Sequence, residues 1–345
     1  MTGILMKILI VKLSAFGDII HALPALDDLL QRPEVDEVHW LVDTRYRFVT
    51  DIFPESVCIH AINMKHGNPV AAILNASREL RRQHFDYVLD LQGLVKSSLM
   101  ARLAAPRVYG IDADFCRERV SSWLTQPVLF HPEEKHVVQQ YRRVASAPFA
   151  PSIGRPDTRI EYKAPQVSLN EAMQYKGQEI CYSLGLSSGA FVILHVGGGW
   201  QTKQLPDATW QTIASGIVEQ GCIPVFSWGA QDEAAHAHNL TRKVQGAISL
   251  ARRLDITPLC GMLAAARAVV GADTGIIHLA AALGTTTISF WGPSASWRSA
   301  PLEPQQFQVE SHPDCGPCFK RSCDNFICME RIPANDILDR LNDCR

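Results

Sequence analysis

The chain has 345 residues, 47% hydrophobic and 20% charged, which is typical of a globular protein long enough for two domains. Its 33 lysines and arginines against 35 aspartates and glutamates exclude a nucleic-acid binder that relies on bulk positive charge. No apolar run approaches the roughly 20 residues of a transmembrane helix. No signal-peptide pattern precedes the first strand, so we expect a cytoplasmic protein.

Short apolar segments alternate with helical patterns along the first half of the chain. The pattern predicts strands at 8–12, 38–42, 57–60, 87–91 and 108–110, and helices at 69–83 and 95–104. Such alternation predicts a parallel sheet covered by helices.

The alternation stops between residues 146 and 167, where four prolines indicate a linker. It then resumes, with predicted strands at 191–196, 223–227, 268–271 and 286–290, and predicted helices at 207–219, 232–244, 257–266 and 274–283. We therefore predict an N-terminal domain over 1–160 and a C-terminal domain over 168–330. A C-terminal helix within 331–345 is expected to pack back on the N-terminal domain.

The segment 268–284, AVVGADTGIIHLAAALG, is the most informative motif. A short strand ends at Asp273 and Thr274, either of which can cap the helix that follows. Gly275 leaves room for a ligand near the backbone, and His278 shares a helix face with Thr274. Because a helix N-terminus attracts anions, this junction predicts a site for a phosphorylated ligand.

The segment 12–25, KLSAFGDIIHALPA, follows the first strand directly. Asp18 lies at the start of the next helix, where it serves either as a helix cap or as a catalytic carboxylate. This turn contains one glycine, Gly17, whereas a dinucleotide-binding turn contains three. The difference counts against a nicotinamide-dependent oxidoreductase.

Two further strand ends carry candidate ligand groups. In LHVGGGWQTKQLP, three glycines allow a ligand to approach and Lys203 offers a positive charge to a phosphate, unless the segment is an ordinary surface turn. In FSWGAQDE, Glu233 either binds a ribose hydroxyl pair or stabilises the first turn of a helix.

The first half offers a similar strand-end turn, DLQGLVKSS, which presents Gln92 and Lys96. Arg117 follows in GIDADFCRER, and these groups suit an anionic acceptor, although most charges on such surfaces are simply solvated.

Four cysteines cluster near the C-terminus, at Cys315, Cys318, Cys323 and Cys328. The C-x2-C pair suits a zinc or iron site, but the short spacings favour reduced or redox-labile thiols. These cysteines are thus weak candidates for a structural metal.

Together these motifs resemble the ADP-heptose:lipopolysaccharide heptosyltransferases, glycosyltransferase family 9, and most closely their heptosyltransferase I members. The resemblance covers nearly the whole chain in the same order. It implies an α/β GT-B fold, with two Rossmann-like domains facing a cleft, the N-terminal one for the acceptor and the C-terminal one for the nucleotide sugar.

The resemblance implies an inverting, metal-independent glycosyltransferase that needs no cofactor. It would move heptose from ADP-heptose to the lipopolysaccharide inner core, on an acceptor of the Kdo-lipid A type. Asp18 and Lys203 would be catalytic, Asp18 as general base and Lys203 on the diphosphate. The expected donor-site residues are Gly198, Thr202, Glu233, Asp273, Thr274, Gly275 and His278, and the expected acceptor-site residues are Ser14, Gln92, Lys96 and Arg117.

The acceptor lipid implies peripheral contact with the cytoplasmic face of the inner membrane, and no nucleic-acid partner. The segment 61–68 departs from the family, since Lys65 and His66 are its only basic residues. An acceptor with fewer phosphates, or another core sugar, is therefore an alternative. Two further alternatives are a GT-B transferase for another nucleotide sugar and a non-catalytic sugar-nucleotide-binding protein.

Overall fold

The structure is a computed structural model that describes residues 5–65, 69–150 and 154–343, so His66 lies outside the described residues. The chain divides into two compact units between Pro165 and Gln166. This division falls inside the predicted linker. No helix among the described residues is long and apolar enough to span a bilayer.

The N-terminal unit is a six-stranded parallel sheet with strand order β3-β2-β1-β4-β5-β6. After Met6 and Lys7 the first strand is apolar, and its last four residues, 8–11, are fully buried, as expected for a strand covered on both faces. The elements are β1 (Met6–Val11), α1 (Phe16–His21), α2 (Leu23–Leu30), β2 (Val35–Asp43), β3 (Val57–Ile62), α3 (Pro69–Arg81), β4 (Tyr87–Asp90), α4 (Val95–Ala104), β5 (Val108–Ile111), β6 (Gln126–Val128) and α5 (Val137–Ser146).

The C-terminal unit is a second six-stranded parallel sheet, with order β12-β11-β10-β7-β8-β9. Its elements are α6 (Glu171–Ser183), β7 (Phe191–His195), α7 (Asp207–Glu219), β8 (Ile223–Ser227), α8 (Gln231–Lys243), β9 (Ile248–Ser249), α9 (Ile256–Ala265), β10 (Ala268–Ala272), α10 (Gly275–Ala282), β11 (Thr287–Trp291), α11 (Ser296–Ser299), β12 (Gln306–Glu310), α12 (Ile327–Glu330) and α13 (Ala334–Asp343).

The C-terminal helix α13 is part of this second unit, and its predicted packing on the N-terminal domain stays a prediction. It lies against α7, β11 and β12 and buries Ile337 and Leu341. Gly216 of α7 accommodates it, since an added Cβ there would lie 2.5 Å from Leu338 Cδ1. The apolar face of α13 therefore completes the core of its own unit.

Each predicted strand and helix corresponds to an element of the structure, with ends shifted by a few residues. The prediction lacked α6, which packs closely on α9. This packing needs Gly177 and Gly261, because a Cβ at Gly261 would lie 2.0 Å from Met173 O. It also lacked the edge strands β6, β9 and β12, which are short or mixed in polarity.

The two sheets share one topology, because in each the strand order reverses between the first and fourth strands of the unit. The reversal lies between β1 and β4 in one unit and between β7 and β10 in the other. In open parallel sheets, ligands bind beyond the carboxyl ends of the strands at such a reversal. This rule selects one candidate location in each unit.

Candidate active site

Three ligand-binding segments leave the C-terminal sheet side by side. Within the sheet, His195 at the end of β7 pairs with Gly271 of β10 and with Ser227 of β8. The loop 196–206, the turn 273–275 and the turn 228–233 therefore begin at the same edge. All the predicted donor-site residues lie on these segments or on the helices that follow them.

A buried charge network connects the loop after β7 to the turn after β10. Lys203 Nζ donates to Asp273 Oδ2 and to its carbonyl oxygen, both at 2.7 Å. His278 Nε2 donates to Asp273 Oδ1 at 3.0 Å. The Lys203 ammonium also lies 4.4 Å from the centre of the Trp200 ring. Only 7% of Lys203 is exposed, so its charge is held in place by these partners.

The network fixes the ionisation of Asp273. Burial alone raises the pKa of this carboxyl, but the His278 hydrogen bond and the Lys203 charge outweigh it and hold the pKa well below its usual range. Asp273 therefore stays ionised and orients the Lys203 ammonium beside the start of α10. Such a fixed cation interacts more strongly with a phosphate than a solvated surface lysine does.

The start of α10 offers unsatisfied hydrogen-bonding groups. Thr274 is the N-cap residue, yet its side chain makes no capping hydrogen bond, and α10 begins at Gly275. Thr274 Oγ1 is buried and has no hydrogen-bond partner among the described residues. The Asp273 carboxylate, the other expected cap, is engaged by Lys203 and His278. The first N–H groups of α10 thus remain for a ligand.

The glycine-rich loop folds back on itself toward Lys203. A Cβ at Gly198 would lie 3.0 Å from Trp200 O and 3.2 Å from Lys203 Cβ, so only glycine fits without a shift. Thr202 is almost fully buried, and its hydroxyl donates to Lys320 O at 2.7 Å. Thr202 therefore attaches the loop to the cysteine-rich segment, an arrangement that its position in the sequence did not predict.

Glu233 stabilises the first turn of a helix, as one alternative predicted, and its role as a ligand group stays a prediction. It lies in the first turn of α8, where its Oε2 accepts from the N–H groups of Gly229 and Ala230, each at 2.9 Å. Its Oε1 has no hydrogen-bond partner among the described residues. The side chain is thus held by the turn with one oxygen left for a ligand.

In the N-terminal unit, Ser14 lies on the loop that follows β1, and Asp18 lies on the next helix, α1. Asp18 is half-buried in the first turn of α1, and its Oδ2 accepts from Ala15 N–H at 3.2 Å. Gln92 lies beyond the end of the adjacent strand β4, and its Oε1 accepts from the N–H groups of Leu13 and Ser14, at 2.9 and 3.0 Å. Gln92, which is 7% exposed, therefore holds the Asp18 loop in place.

Arg117 is exposed on the segment that follows β5, and it forms no ion pair among the described residues. Its neighbour Glu118 accepts from Val95 N–H at 2.7 Å and donates its own N–H to Gly93 O. These contacts fix the Arg117 segment beside the start of α4.

Lys96 is half-buried in the first turn of α4. The charge of Lys96 acts on the Asp43 carboxylate at the end of β2. Burial raises the pKa of Asp43, but hydrogen bonds from Arg45 and the charge of Lys96 lower it overall. Lys96 therefore lies at the carboxyl edge of the sheet, together with Ser14 and Gln92.

Comparison with known proteins identifies the family. A family model described as glycosyltransferase family 9 (heptosyltransferase) matches residues 73–326. This chain belongs to glycosyltransferase family 9. It is 30% identical over 328 residues to lipopolysaccharide heptosyltransferase 1 of Pseudomonas aeruginosa, covering 92% of this chain and 87% of that protein. The Escherichia coli K12 protein of the same name is 28% identical, covering 84% and 88% of the two chains.

Solved heptosyltransferases share the fold. Escherichia coli heptosyltransferase WaaC, solved with ADP-2-deoxy-2-fluoro heptose, superposes with a TM-score of 0.73 at 22% identity, covering 99% of this chain and 100% of that chain. A family 9 protein from Veillonella parvula gives a TM-score of 0.80 at 17% identity, covering 100% and 98%. These matches confirm the predicted GT-B architecture.

Two buried residues at the strand ends of this family 9 chain were not predicted as site residues. His195 ends β7, and its Nδ1 lies 3.0 Å from Ser227 Oγ. Lys12 follows β1, and its Nζ donates to Leu91 O at 2.9 Å and to Tyr141 Oη at 2.7 Å. The available signal was a polar residue directly at the end of an otherwise apolar strand.

The cysteine-rich segment forms no metal site among the residues that the structure describes. No group of three or more His, Cys, Asp or Glu side chains there is arranged to hold a metal ion. Cys315, Cys318, Cys323 and Cys328 are all free thiols. The segment instead packs on the chain after β11, where Phe319 N–H donates to Pro293 O, and on the loop 196–206, where Arg321 lies 5.4 Å from the Trp200 ring centre.

Proposed function

We propose that this chain is an inverting glycosyltransferase that moves heptose from ADP-heptose to the lipopolysaccharide inner core, on a Kdo-lipid A type acceptor. The observation that carries the proposal is the buried Lys203–Asp273–His278 network beside the uncapped start of α10. It combines a fixed cation with free N–H groups, which suits a departing diphosphate. The names of the relatives support the choice of heptose and of lipopolysaccharide.

In this proposal the C-terminal unit binds the donor. The diphosphate would lie against Lys203, Thr274 and the start of α10. The unengaged Oε1 of Glu233 would accept from a ribose hydroxyl, as acidic residues do at comparable nucleotide sites. Gly198 allows the loop to fold closely against Lys203, and Thr202 fixes that loop through Lys320.

The reaction needs a base, and Asp18 supplies it. The Asp18 carboxylate takes the proton from an acceptor hydroxyl, whose oxygen then attacks the anomeric carbon of the heptose. The bond from that carbon to the diphosphate oxygen breaks on the opposite face, which inverts the configuration. Asp18 suits this role because a single backbone N–H at 3.2 Å is its only hydrogen bond among the described residues, which leaves carboxylate lone pairs for the proton.

The departing ADP gains negative charge on its β-phosphate. Lys203 and the N–H groups of α10 would stabilise this charge without a metal ion. Asp273 and His278 would act by holding the Lys203 ammonium in position, and only Lys203 would contact the phosphate. The ion pair costs Lys203 part of its charge effect, but it removes the freedom of a long side chain.

The acceptor would bind to the N-terminal unit through Ser14, Lys96 and the exposed Arg117, while Gln92 orients the Asp18 loop. A lipid acceptor implies peripheral contact with the cytoplasmic face of the inner membrane. In the segment 61–68 the described residues include one basic side chain, Lys65, which favours an acceptor with few phosphates on this side.

The test is turnover by the purified chain with Kdo-lipid A and a panel of ADP-heptose, UDP-glucose and GDP-mannose. We expect transfer from ADP-heptose alone, with inverted anomeric configuration and no loss of rate in EDTA. Preference for a UDP- or GDP-sugar would replace the proposed donor. Binding of ADP-heptose without transfer to any core acceptor would favour a non-catalytic nucleotide-sugar-binding protein.

A further inference from the structure

His195 and Glu233 converge on the small space beside Gly197. A Cβ added to Gly197 would lie 2.6 Å from Glu233 Oε2 and 2.8 Å from His195 Nε2. Both side chains therefore approach the first residues of the loop after β7. The absence of a side chain at Gly197 keeps this space open, and any larger residue would displace one of the two groups.

The groups around His195 indicate which of its ring nitrogens carries the hydrogen. Ser227 Oγ lies 3.0 Å from His195 Nδ1, and the hydroxyl has no other partner among the described residues. His195 Nε2 and the Glu233 carboxylate both approach Gly197, and a carboxylate oxygen can only accept, so the ring hydrogen is assigned to Nε2 and the Ser227 hydroxyl donates to Nδ1. His195 thus presents an Nε2–H donor toward Gly197 and Glu233.

This donor is unused within the part of the chain that the structure describes. His195 is 5% exposed, and its Nε2 has no hydrogen-bond partner among the described residues. Burial lowers the pKa of His195 to about 4, and the charge of Glu233 opposes this only in part. The ring is therefore neutral near pH 7, so it acts as a hydrogen-bond donor and not as a cation.

We propose that His195 is a specificity-determining residue that donates from Nε2 to a ribose hydroxyl oxygen of the bound nucleotide, while Glu233 accepts from the hydroxyl pair. This inference rests on the proposed nucleotide-sugar site and assigns the region of His195 and Glu233 to the ribose of the nucleotide. A hydroxyl both donates and accepts, so it satisfies a neighbouring N–H donor and a carboxylate together. A phosphate oxygen would satisfy His195 but would be repelled by Glu233.

The test compares the binding of ADP, 2′-deoxy-ADP and 3′-deoxy-ADP by calorimetry. For the unmodified chain we expect ADP to bind about tenfold more tightly than at least one deoxy analogue, since a lost hydrogen bond leaves His195 and Glu233 unpaired. His195→Phe should weaken ADP to near the deoxy level, so that the ratio of the two affinities approaches one. His195→Gln, which retains an N–H donor, should keep part of the preference.

Matched variants distinguish a role of His195 in ribose recognition from a role in the fold. His238 lies on α8 five residues after Glu233 and so faces a different side of the helix, and His238→Phe should leave the affinity ratio unchanged. Ser227→Ala removes the partner that fixes the tautomer and should reduce the preference even if His195→Phe fails to fold. This second variant keeps the proposal testable by an independent route.

Two results would overturn the inference for different reasons. An equal loss of ADP and deoxy-ADP affinity in His195→Phe and Ser227→Ala would assign His195 a structural role, with the proposed function intact. Failure of the unmodified chain to bind either ADP or ADP-heptose would remove the proposed function itself. The ratio in the variants and the affinity of the unmodified chain therefore distinguish the two failures.

Discussion

The two units share a strand order but differ in how they use the reversal point. In the C-terminal unit, Lys203 and His278 are buried, and both are hydrogen-bonded to the half-buried Asp273. In the N-terminal unit, Gln92 is bonded to backbone N–H groups, and Asp18 is half-buried with one backbone contact. One topology thus supports a rigid charged site and a nearly free carboxylate.

This difference between the units matches the two requirements of a sugar transfer, which are stabilisation of the leaving group and removal of a proton. A leaving diphosphate is stabilised best by charges that are already in place, because no reorganisation is then needed. A base must instead exchange a proton, so its carboxylate cannot be fully engaged by the protein. The following predictions test whether this division is real, beginning with the largest expected effect.

Asp18→Asn should lower turnover by about 10²- to 10⁴-fold, because the amide cannot accept the acceptor proton. The amide oxygen can still accept from Ala15 N–H, so the loop should keep its shape. The measurement is steady-state transfer from ADP-heptose, together with ADP affinity, which should not change. Asp51→Asn, an exposed residue paired with Arg47, is the control. Turnover within a few fold of the unmodified chain would rule out Asp18 as the base.

Lys203→Met should lower turnover by about 100-fold and weaken ADP binding as well. The substitution removes the fixed cation and leaves the Asp273 carboxylate supported by His278. Lys243→Met is the matched control, since Lys243 pairs with Asp207 at an exposed position. If the two lysine variants lose activity equally, the charge network has no special role in leaving-group stabilisation.

Thr274→Val should weaken ADP binding by about tenfold without loss of stability. The buried Thr274 hydroxyl has no hydrogen-bond partner among the described residues, so a methyl group of similar size removes an unsatisfied polar atom. Calorimetry with ADP and thermal melting check the two halves of this prediction. A lower melting temperature with unchanged ADP affinity would show that the hydroxyl serves the fold.

Much of the fold was readable because its signals are local. Apolar strands alternate with amphipathic helices, and the motifs stand at strand ends, where a parallel sheet binds ligands. Glu233 shows the limit of this reasoning. Position alone offered a helix cap or a ligand group, and the structure shows that one oxygen serves the turn while the other is unengaged.

The remaining features depend on contacts between distant parts of the chain. Gln92 was predicted to face the acceptor, but its oxygen binds backbone N–H groups 79 and 78 residues earlier in the sequence. Thr202 bonds to Lys320, 118 residues later. The neutral state of His195 follows from burial among neighbours that no local pattern identifies. Tertiary packing thus assigns roles that residue type and spacing leave open.

The smallest expected effect is a pH dependence of stability in the N-terminal unit. Burial, and then the neighbouring His39, lower the pKa of half-buried His60. The folded chain therefore favours neutral His60. The contribution of His60 to the free energy of unfolding is full above the unfolded pKa near 6.5 and declines as the pH falls below it.

His60→Phe should therefore make the urea midpoint depend less on pH between about 7.5 and 5. The reason is that the variant lacks the imidazole whose protonation opposes folding. The exposed His312 provides the control, and His312→Phe should leave the slope unchanged. A slope that persists in His60→Phe would assign the pH dependence to His195, whose pKa is also lowered, to about 4. The pH dependence would then arise from the C-terminal unit rather than from the N-terminal sheet.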